Sequence, residues 1–535
     1  MTPRFLLFLT AALAVPAQVT FERLVRADRE PHNWLNYSGS YRSHRYSPLD
    51  QITRDNIKNL RIDWIYQARS LERFEATPLV VNGIMYVTQA PNDVIALDAS
   101  TGRRFWTYSH APLPAARGCC GKINRGVAIL GDRLFMGTMD ARLIAIDAKS
   151  GRSLWNVGIA DPNAGYSITH APLVIKDKVI VGVAGGEYGI RGFIAAYEIA
   201  SGKEAWRFYT VPGPGEPGNE TWAGDSWKTG GAPIWITGSY DPELNLTYWG
   251  TGNPGPDYNS DKRAGDNLYS NSVIALNPDT GKLQWHFQFT PHDELDYDAT
   301  QIPVLVDAEW RGRPRKLMMW ANRNGFFYVL DRVNGEFLMG KPFAKVTWAT
   351  GLDDKGRPVK SPKMSPNAEG VQIFPGALGA TNYYAPSYSS RTGLFYVSTW
   401  VNTYNVFTKF SQEYEAGKQF LGGLPRGGRT GTGGPQEEDP YGAVRALDPK
   451  TGEMKWEFKM TTLTTSGLLT TASDLLFTGG LEGYIFALDA RNGAMLWKST
   501  VGGLTYASPM SYQAGGKQYV AIAAGNALFA FALAD

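Results

Sequence analysis

The stretch P-H-D-E-L-D-Y-D-A-T at 291–300 sets four carboxylates within six residues: Asp293, Glu294, Asp296 and Asp298. Carboxylates accept protons and bind hard cations. Asp296 and Asp298 stand two apart, so on an extended chain they point to one side. Asp293 and Glu294 read as a solvated acidic loop, and His292, with no partner cluster, as a structural residue. Glycine-rich stretches accompany these acids, and glycine lets backbone approach a ligand closely. One runs through Gly185, Gly186 and Glu187, with G-I-R-G following at 189–192; a second, G-G-A-P-I-W, ends in Trp235; a third, G-T-G-N-P-G-P at 250–256, contains Asn253. Taken singly, Trp235 reads as a core residue and the third stretch as a Gly/Pro turn. The chain's two cysteines, Cys119 and Cys120, are adjacent, and Arg125 follows them. Bonded neighbours close a strained eight-membered ring; a pair of buried or free thiols is the alternative.

These residues interrupt a repeat. V-I-A-L-D at 94–98 leads to Gly102 and Trp106, and L-I-A-I-D at 143–147 leads to Gly151 and Trp155. The phrase returns from Gly202 to Trp206, Gly281 to Trp285, Gly452 to Trp456 and Gly493 to Trp497; a seventh copy, Y-V-L-D at 328–331 with Gly335, lacks the Trp. Each copy predicts a strand, a turn whose glycine takes positive φ, and a second strand bearing an aromatic, with the alternation of half-buried strands. Successive glycines lie 49, 51, 79, 54, 117 and 41 residues apart, and the shorter spacings fit a propeller blade of roughly 40 to 50 residues. The regular phase of the tryptophans assigns them to packing between blades. The longest interval predicts loop insertions at 345–439, with the glycine-rich 422–434 as a surface excursion. N-L-R-I-D-W at 59–64 and G-N-A-L-F-A-F-A-L at 525–533 are half-copies. Joined, they predict an eighth blade, and hence an all-β, eight-bladed β-propeller closed by its N- and C-terminal strands; a seven-blade closure is the alternative.

Residues 1–17 read as a secretory signal, with Arg4, an apolar core at 5–15 and V-P-A before Gln18; a retained anchor is the alternative. Residues 18–535 then form a single propeller domain, expected in the periplasm. No later segment reaches about 20 apolar residues, so no integral membrane segment is expected in the mature chain. A net charge of +3 without a basic run gives no reason to expect nucleic acid. Export favours a bonded cysteine pair, and without C-x-x-C-H no covalently attached haem is expected on this chain.

Together these motifs resemble the quinoprotein alcohol dehydrogenases, the family of soluble methanol and ethanol dehydrogenases that bind pyrroloquinoline quinone (PQQ). The resemblance runs from about Trp34 to the C-terminus. It implies that a Cys119–Cys120 disulfide lies flat on one face of PQQ and Trp235 on the other, while Arg125 pairs with a PQQ carboxylate, as a guanidinium does well. It further implies PQQ contacts from Glu75, Thr169, Ala184, Gly185, Gly186, Arg323 and Asn382. The implied metal ligands are Glu187, Asn253 and Asp296, with Asp298 as a fourth. That additional carboxylate favours a lanthanide(III) ion, with Ca²⁺ as the alternative. Asp296 is the implied base that takes the hydroxyl proton as hydride passes to PQQ, and Arg323 stabilises charge growing on the quinone oxygen. The implied activity is oxidation of primary alcohols to aldehydes, with electrons leaving to a separate soluble cytochrome c; a homodimer is compatible with the family. The chain departs from the family at 464–467, where no Trp stands, and at Ala184, where some members have Ser. Tyr383, Tyr384 and Trp400 are expected near the substrate entrance. A non-enzymatic propeller scaffold for protein binding, a quinoprotein acting on sugars or polyols, and an enzyme that has lost turnover are the rival readings.

Overall fold

The computed structural model describes residues 19–427 and 439–534. The expected signal at 1–17 and residues 428–434 of the 422–434 excursion lie outside the described residues. The rest is an all-β propeller: seven four-stranded sheets and one five-stranded sheet, with a two-stranded and a three-stranded ribbon beside them. Among the described residues no helix is long and apolar enough to cross a membrane.

The repeat phrase builds the third and fourth strands of a sheet. Asp98 Oδ1 accepts the N–H groups of Ser100 and Thr101 at 2.9 and 3.2 Å, while Gly102, at φ +70°, donates its N–H back to the Asp98 carbonyl. Just beyond the turn the ladder shifts register between Ala96 and Leu97, with Phe105 the extra residue of a bulge. The missing Cβ of Gly102 has a second use. A methyl on Gly102 would lie 2.5 Å from the Trp64 ring, on Gly151 2.6 Å from Trp106, and on Gly281 2.5 Å from Trp206. Tryptophans of one sheet thus lie on the glycine turn of the next, whereas Trp497, in the last copy, packs edge-on against Phe531. The indole N–H groups of Trp64, Trp155 and Trp206 also donate to carbonyls beside those turns, those of Ala99, Ile199 and Pro278. Where the repeat lacks its tryptophan, Gly452 faces Met339 and Lys341 instead.

Strand burial differs from the expected alternation. Asp93–Asp98 and Arg142–Asp147 are buried on both faces in their middle four residues, because each sheet is covered by a neighbour on either side. Alternation survives in the last strand, as in Arg104–Ser109 and Ser153–Gly158, where one sheet edge reaches solvent. The inner strands are largely buried, such as Leu79–Val81 and Leu173–Ile175. In the sheet that joins the termini this place is taken by Met510–Ala514, with Leu60–Gln67 as the outer strand.

The 345–439 insertion is not a single excursion. Ser387–Ser389 and Leu394–Val401 enter one sheet with Tyr441–Leu447 and Met454–Lys459. The ribbons are formed by the chain ahead of Ser387 together with the stretch between Val401 and Tyr441. At the termini, Leu60–Gln67 pairs antiparallel with Ala527–Leu533, from Leu60 opposite Leu533 to Gln67 opposite Ala527. The segment ahead of that strand crosses from sheet to sheet. Its backbone bonds reach Val80 from Trp34, Tyr240 from Tyr41, Leu305 from Arg42, Tyr388 from His44, Thr470 from Arg45 and Gln513 from His32. Arg45, fully buried, donates to the carbonyls of Tyr37, Leu468 and Pro509.

Candidate active site

One cavity gathers the connections that lead into the inner strands. Glu75 precedes Leu79–Val81, Arg125 precedes Ala128–Leu130, Thr169 precedes Leu173–Ile175, Trp235 precedes Ser239–Asp241, and Asp296 and Asp298 precede Val304–Trp310. Asn382 and Tyr383, Thr465, and Tyr506 stand in the same relation to the last three sheets. Every sheet thus sends side chains to one place, which is why residues more than 400 positions apart in sequence line one wall.

At the acidic end, Arg323 spans two carboxylates: Nη2 donates to Asp296 Oδ2 at 2.9 Å and Nη1 to Asp298 Oδ2 at 2.7 Å. Nε is anchored on the Ala377 carbonyl. Asp298 also accepts the Asn253 backbone N–H on Oδ1 at 2.7 Å and the Trp235 indole N–H on Oδ2 at 3.1 Å. Gly252 is obligatory here, since a Cβ would come 2.4 Å from Asp298 Oδ1. Burial pushes the Asp296 carboxyl well above the usual range; Arg323 pulls against it, and Asp298 and Glu187 add to it. Burial, with the like charge of Asp298, raises Glu187 to about 7. Burial pulls the guanidinium of Arg323 down, but Asp296 and Asp298 outweigh it and keep it charged.

The other end is stitched by Arg125 and Glu75, an ion pair at 2.7 Å with both side chains nearly fully buried. Arg125 Nη1 also donates to Thr169 Oγ1 at 3.1 Å, and its guanidinium lies over the rings of Trp235 and Tyr383 at 5.2 and 4.9 Å. Cys119 and Cys120 are disulfide-bonded and exposed at the cavity wall.

The cavity therefore brings together Glu75, Cys119, Cys120, Arg125, Thr169, Ala184, Gly185, Glu187, Trp235, Asp296, Asp298, Arg323 and Asn382. Gly186 and Asn253 are buried beside it: the Asn253 amide oxygen lies 3.6 Å from where a Gly186 Cβ would be. The Asn382 amide is taken up in its own loop, donating to Leu378 O and accepting from Tyr383 N. Tyr383 and Tyr384 line the cavity, while Trp400 stacks behind Tyr384 at 6.1 Å. Residues not singled out from sequence also enter. Arg73, two positions before Glu75, lies under Tyr506, and the extended spacing of two is the signal that places it there. Asp257 and Tyr258 close the Gly/Pro stretch after Asn253; Tyr258 Oη donates to Asp296 Oδ2 at 3.3 Å. The acidic pattern at 293–298 also resolves: Asp293 and Glu294 are buried rather than solvated, Asp293 capping the N–H groups of Leu295 and Tyr297 and Glu294 accepting from Ser260.

A propeller with this cavity at its inner strands is a quinoprotein framework, and the chain belongs to the PQQ-dependent alcohol dehydrogenase family. The family described as glucose/ethanol/alcohol dehydrogenase, beta-propeller domain, matches residues 34–347 and 459–520. The quinohemoprotein alcohol dehydrogenase ADH IIB of Pseudomonas putida is 40% identical over 98% of this chain and 78% of its own length. The quinoprotein alcohol dehydrogenase PedH of Pseudomonas putida is 40% identical over 96% of this chain and 89% of its own. Among solved structures, a europium-containing methanol dehydrogenase superposes with a TM-score of 0.89 and 33% identity, covering 96% of this chain and all of the other.

The residues fit the cofactor and metal that the family uses. Glu187, Asn253, Asp296 and Asp298 offer oxygen alone, and their crowded carboxylates are raised by burial and mutual repulsion, a conflict that a cation removes. A flat disulfide, an indole, and the donors of Arg125, Thr169 and Arg323 suit a planar, carboxylate-bearing ring.

Proposed function

We propose that this protein oxidises primary alcohols to aldehydes in the periplasm, using PQQ and one bound metal ion, and passes the electrons to a soluble cytochrome c. The observation that carries the reading is the meeting of the Cys119–Cys120 disulfide, Trp235, and Arg323 with its two aspartates in one cavity. PQQ beside a Lewis-acidic cation supplies an electrophilic carbonyl carbon that accepts hydride. The residues of the chain do the rest. Asp296 takes the alcohol's hydroxyl proton on its carboxylate, and its burial strengthens it as a base. Arg323 fixes Asp296 and Asp298 through separate nitrogens, leaving a charged guanidinium where negative charge grows on the quinone oxygen. Arg125 and Thr169 hold a cofactor carboxylate, with Glu75 keeping Arg125 in place. The disulfide and Trp235 hold the two flat faces, and Glu187, Asn253, Asp296 and Asp298 hold the metal.

We read that metal as a lanthanide(III) ion, with Ca²⁺ as the alternative. Asp298 supports this choice, because a fourth oxygen ligand bearing charge suits a trivalent ion of high coordination number. The likeness to a europium-containing methanol dehydrogenase points the same way. We read the seven four-stranded sheets and the five-stranded one as eight blades, the ring closing where Leu60–Gln67 meets Ala527–Leu533.

Dye-linked oxidation of methanol, ethanol and a longer primary alcohol, by protein reconstituted with PQQ and either La³⁺ or Ca²⁺, tests the reading. Activity with La³⁺, lost in Asp298→Ala, is the expected result. Activity with Ca²⁺ alone would remove Asp298 from the ligand set. Silence with both ions, in folded protein loaded with PQQ and metal, would overturn the function.

A further inference from the structure

Next to the proposed metal ligands lies a carboxylate that the mechanism above does not use. Asp257 is 1% exposed, and its Oδ1 has no hydrogen-bond partner. The acidic groups that face it are Asp296, Glu187 and Asp298, the basic group is Arg263, and the Asn253 side chain is in hydrogen-bonding range. Its placement is rigid. The loop carrying it is pinned on both flanks: Asn253 O accepts from Ala232 N at 2.8 Å, Gly255 N donates to Gly230 O at 3.0 Å, and Tyr258 N donates to Leu421 O at 2.9 Å. Arg263 is the nearest basic residue of this loop and its charge reaches Asp257, but it bonds elsewhere. Nη2 donates to the carbonyls of Pro256 and Asp293 and Nη1 to Asn267, while Nε has no partner among the described residues. Asp293 also lies near Asp296, but the N–H groups of Leu295 and Tyr297 and the Asn271 amide already occupy it. Asp257 Oδ1 is thus left buried beside the acidic set without a hydrogen-bond partner.

Burying an unpaired carboxyl oxygen is costly, and it persists where a cation restores the balance. Glu187, Asp257, Asp293, Asp296 and Asp298 set five carboxylates against the two guanidinium groups of Arg263 and Arg323, an excess of three negative charges when all are ionised. A trivalent ion cancels that excess; a divalent one leaves a negative charge buried. We propose that Asp257 is a positioning residue of the metal centre, an outer carboxylate that turns the Asn253 amide oxygen toward the cation and biases the site toward a trivalent over a divalent ion. The inference rests on the metal site proposed above. A carboxylate only accepts hydrogen bonds, so beside Asp257 the Asn253 amide presents its NH₂ to Asp257 and its oxygen to the side of Gly186 and Glu187.

The experiment is a Tb³⁺ luminescence titration of PQQ-loaded protein, with Ca²⁺ as competitor, on wild type and Asp257→Asn. Asparagine keeps the size and one acceptor oxygen but removes the charge. Removing an outer partner of a metal ligand weakens binding by roughly 10- to 100-fold. The expected result is therefore a Tb³⁺ affinity at least about tenfold lower, with Ca²⁺ weakened less, so that the ratio of the two affinities falls. A merely structural role would leave that ratio unchanged, and an unchanged or higher ratio overturns the proposal while leaving the metal site standing. Asp257→Ser serves in the same way if the asparagine variant does not fold. Wild-type protein that prefers Ca²⁺ to Tb³⁺ also overturns the proposal, without any variant. Wild-type protein that binds neither ion overturns the metal site itself and this inference with it.

Discussion

At the scale of single residues, the candidate site divides into a base, a clamp and a cofactor anchor. Asp296→Asn keeps the shape of the base and removes its proton affinity. The expected effect is a fall in kcat of about 10² to 10⁴, with PQQ binding and melting temperature near wild type, checked by dye-linked kinetics beside a PQQ titration. Near-normal turnover would take Asp296 out of that role. Arg125 is the anchor. It meets Glu75, Thr169 and the faces of Trp235 and Tyr383 at once, a geometry that lysine does not reproduce. Arg125→Lys is expected to raise the dissociation constant for PQQ at least about tenfold, equivalent to about 1.4 kcal/mol, while kcat at saturating PQQ changes little; unchanged affinity would argue against the anchor.

At the scale of elements, the informative unit is a glycine turn with the tryptophan lying on it. Gly281 has φ +70°, and a Cβ there would sit 2.5 Å from the Trp206 ring. Both the backbone conformation and the contact oppose any side chain. Gly281→Ala is therefore expected to destabilise by about 2 to 4 kcal/mol, from strained φ and overpacking together. Gly452 shares the same φ, but its neighbours are the flexible Met339 and Lys341 at 3.0–3.1 Å. Gly452→Ala should cost about half as much or less, because the contact term yields. Urea unfolding of the pair reads the difference, and equal losses would mean that tryptophan contact adds nothing to the φ penalty. The alternation expected of the repeat strands held only at the outer edge, for sheets covered on both faces bury both sides of a strand.

The whole molecule carries a pH dependence through histidines that its packing keeps neutral. His170 Nε2 accepts the Gly182 N–H at 3.0 Å and Nδ1 donates to Ala171 O at 2.8 Å, so burial lowers its pKa from 6.5 to about 4. His44, donating from Nε2 to Leu305 O, is lowered by burial to the same value. Between pH 6.5 and 4 the unfolded chain binds protons that the folded chain refuses. The histidines' contribution to stability therefore falls as pH falls through that window, and they cause no further loss below it. The loss at His170 is on the order of 3 kcal/mol. Buried carboxyls raised in the folded chain, Glu187 to about 7 and Asp296 well above its usual range, take up protons as pH falls and oppose this loss. His170 is therefore read by difference. From pH 7 to 4 the melting temperature of His170→Gln should gain relative to wild type, and an unchanged difference between the two across that range would remove His170 as a cause.

Much of this protein was readable before any coordinates. The repeat, its turns and the packing role of the tryptophans follow from spacing and type, because those properties are local: a turn glycine needs its φ wherever the sheet ends up. Most of the cavity's residues, by contrast, were assigned through the resemblance to the family. The resemblance then supplied the names of cofactor and base. Other features were not readable. That Arg323 clamps Asp296 and Asp298, that Asp293 is buried as a cap, and that Asp257 Oδ1 is left without a hydrogen-bond partner all depend on which loops meet above the inner strands. Likewise the segment at 32–47 carries no repeat, yet it bonds to one sheet after another. Side-chain partners drawn from sheets hundreds of residues apart are set by how sheets pack around a common axis, and that packing belongs to the folded chain as a whole rather than to any stretch of its sequence.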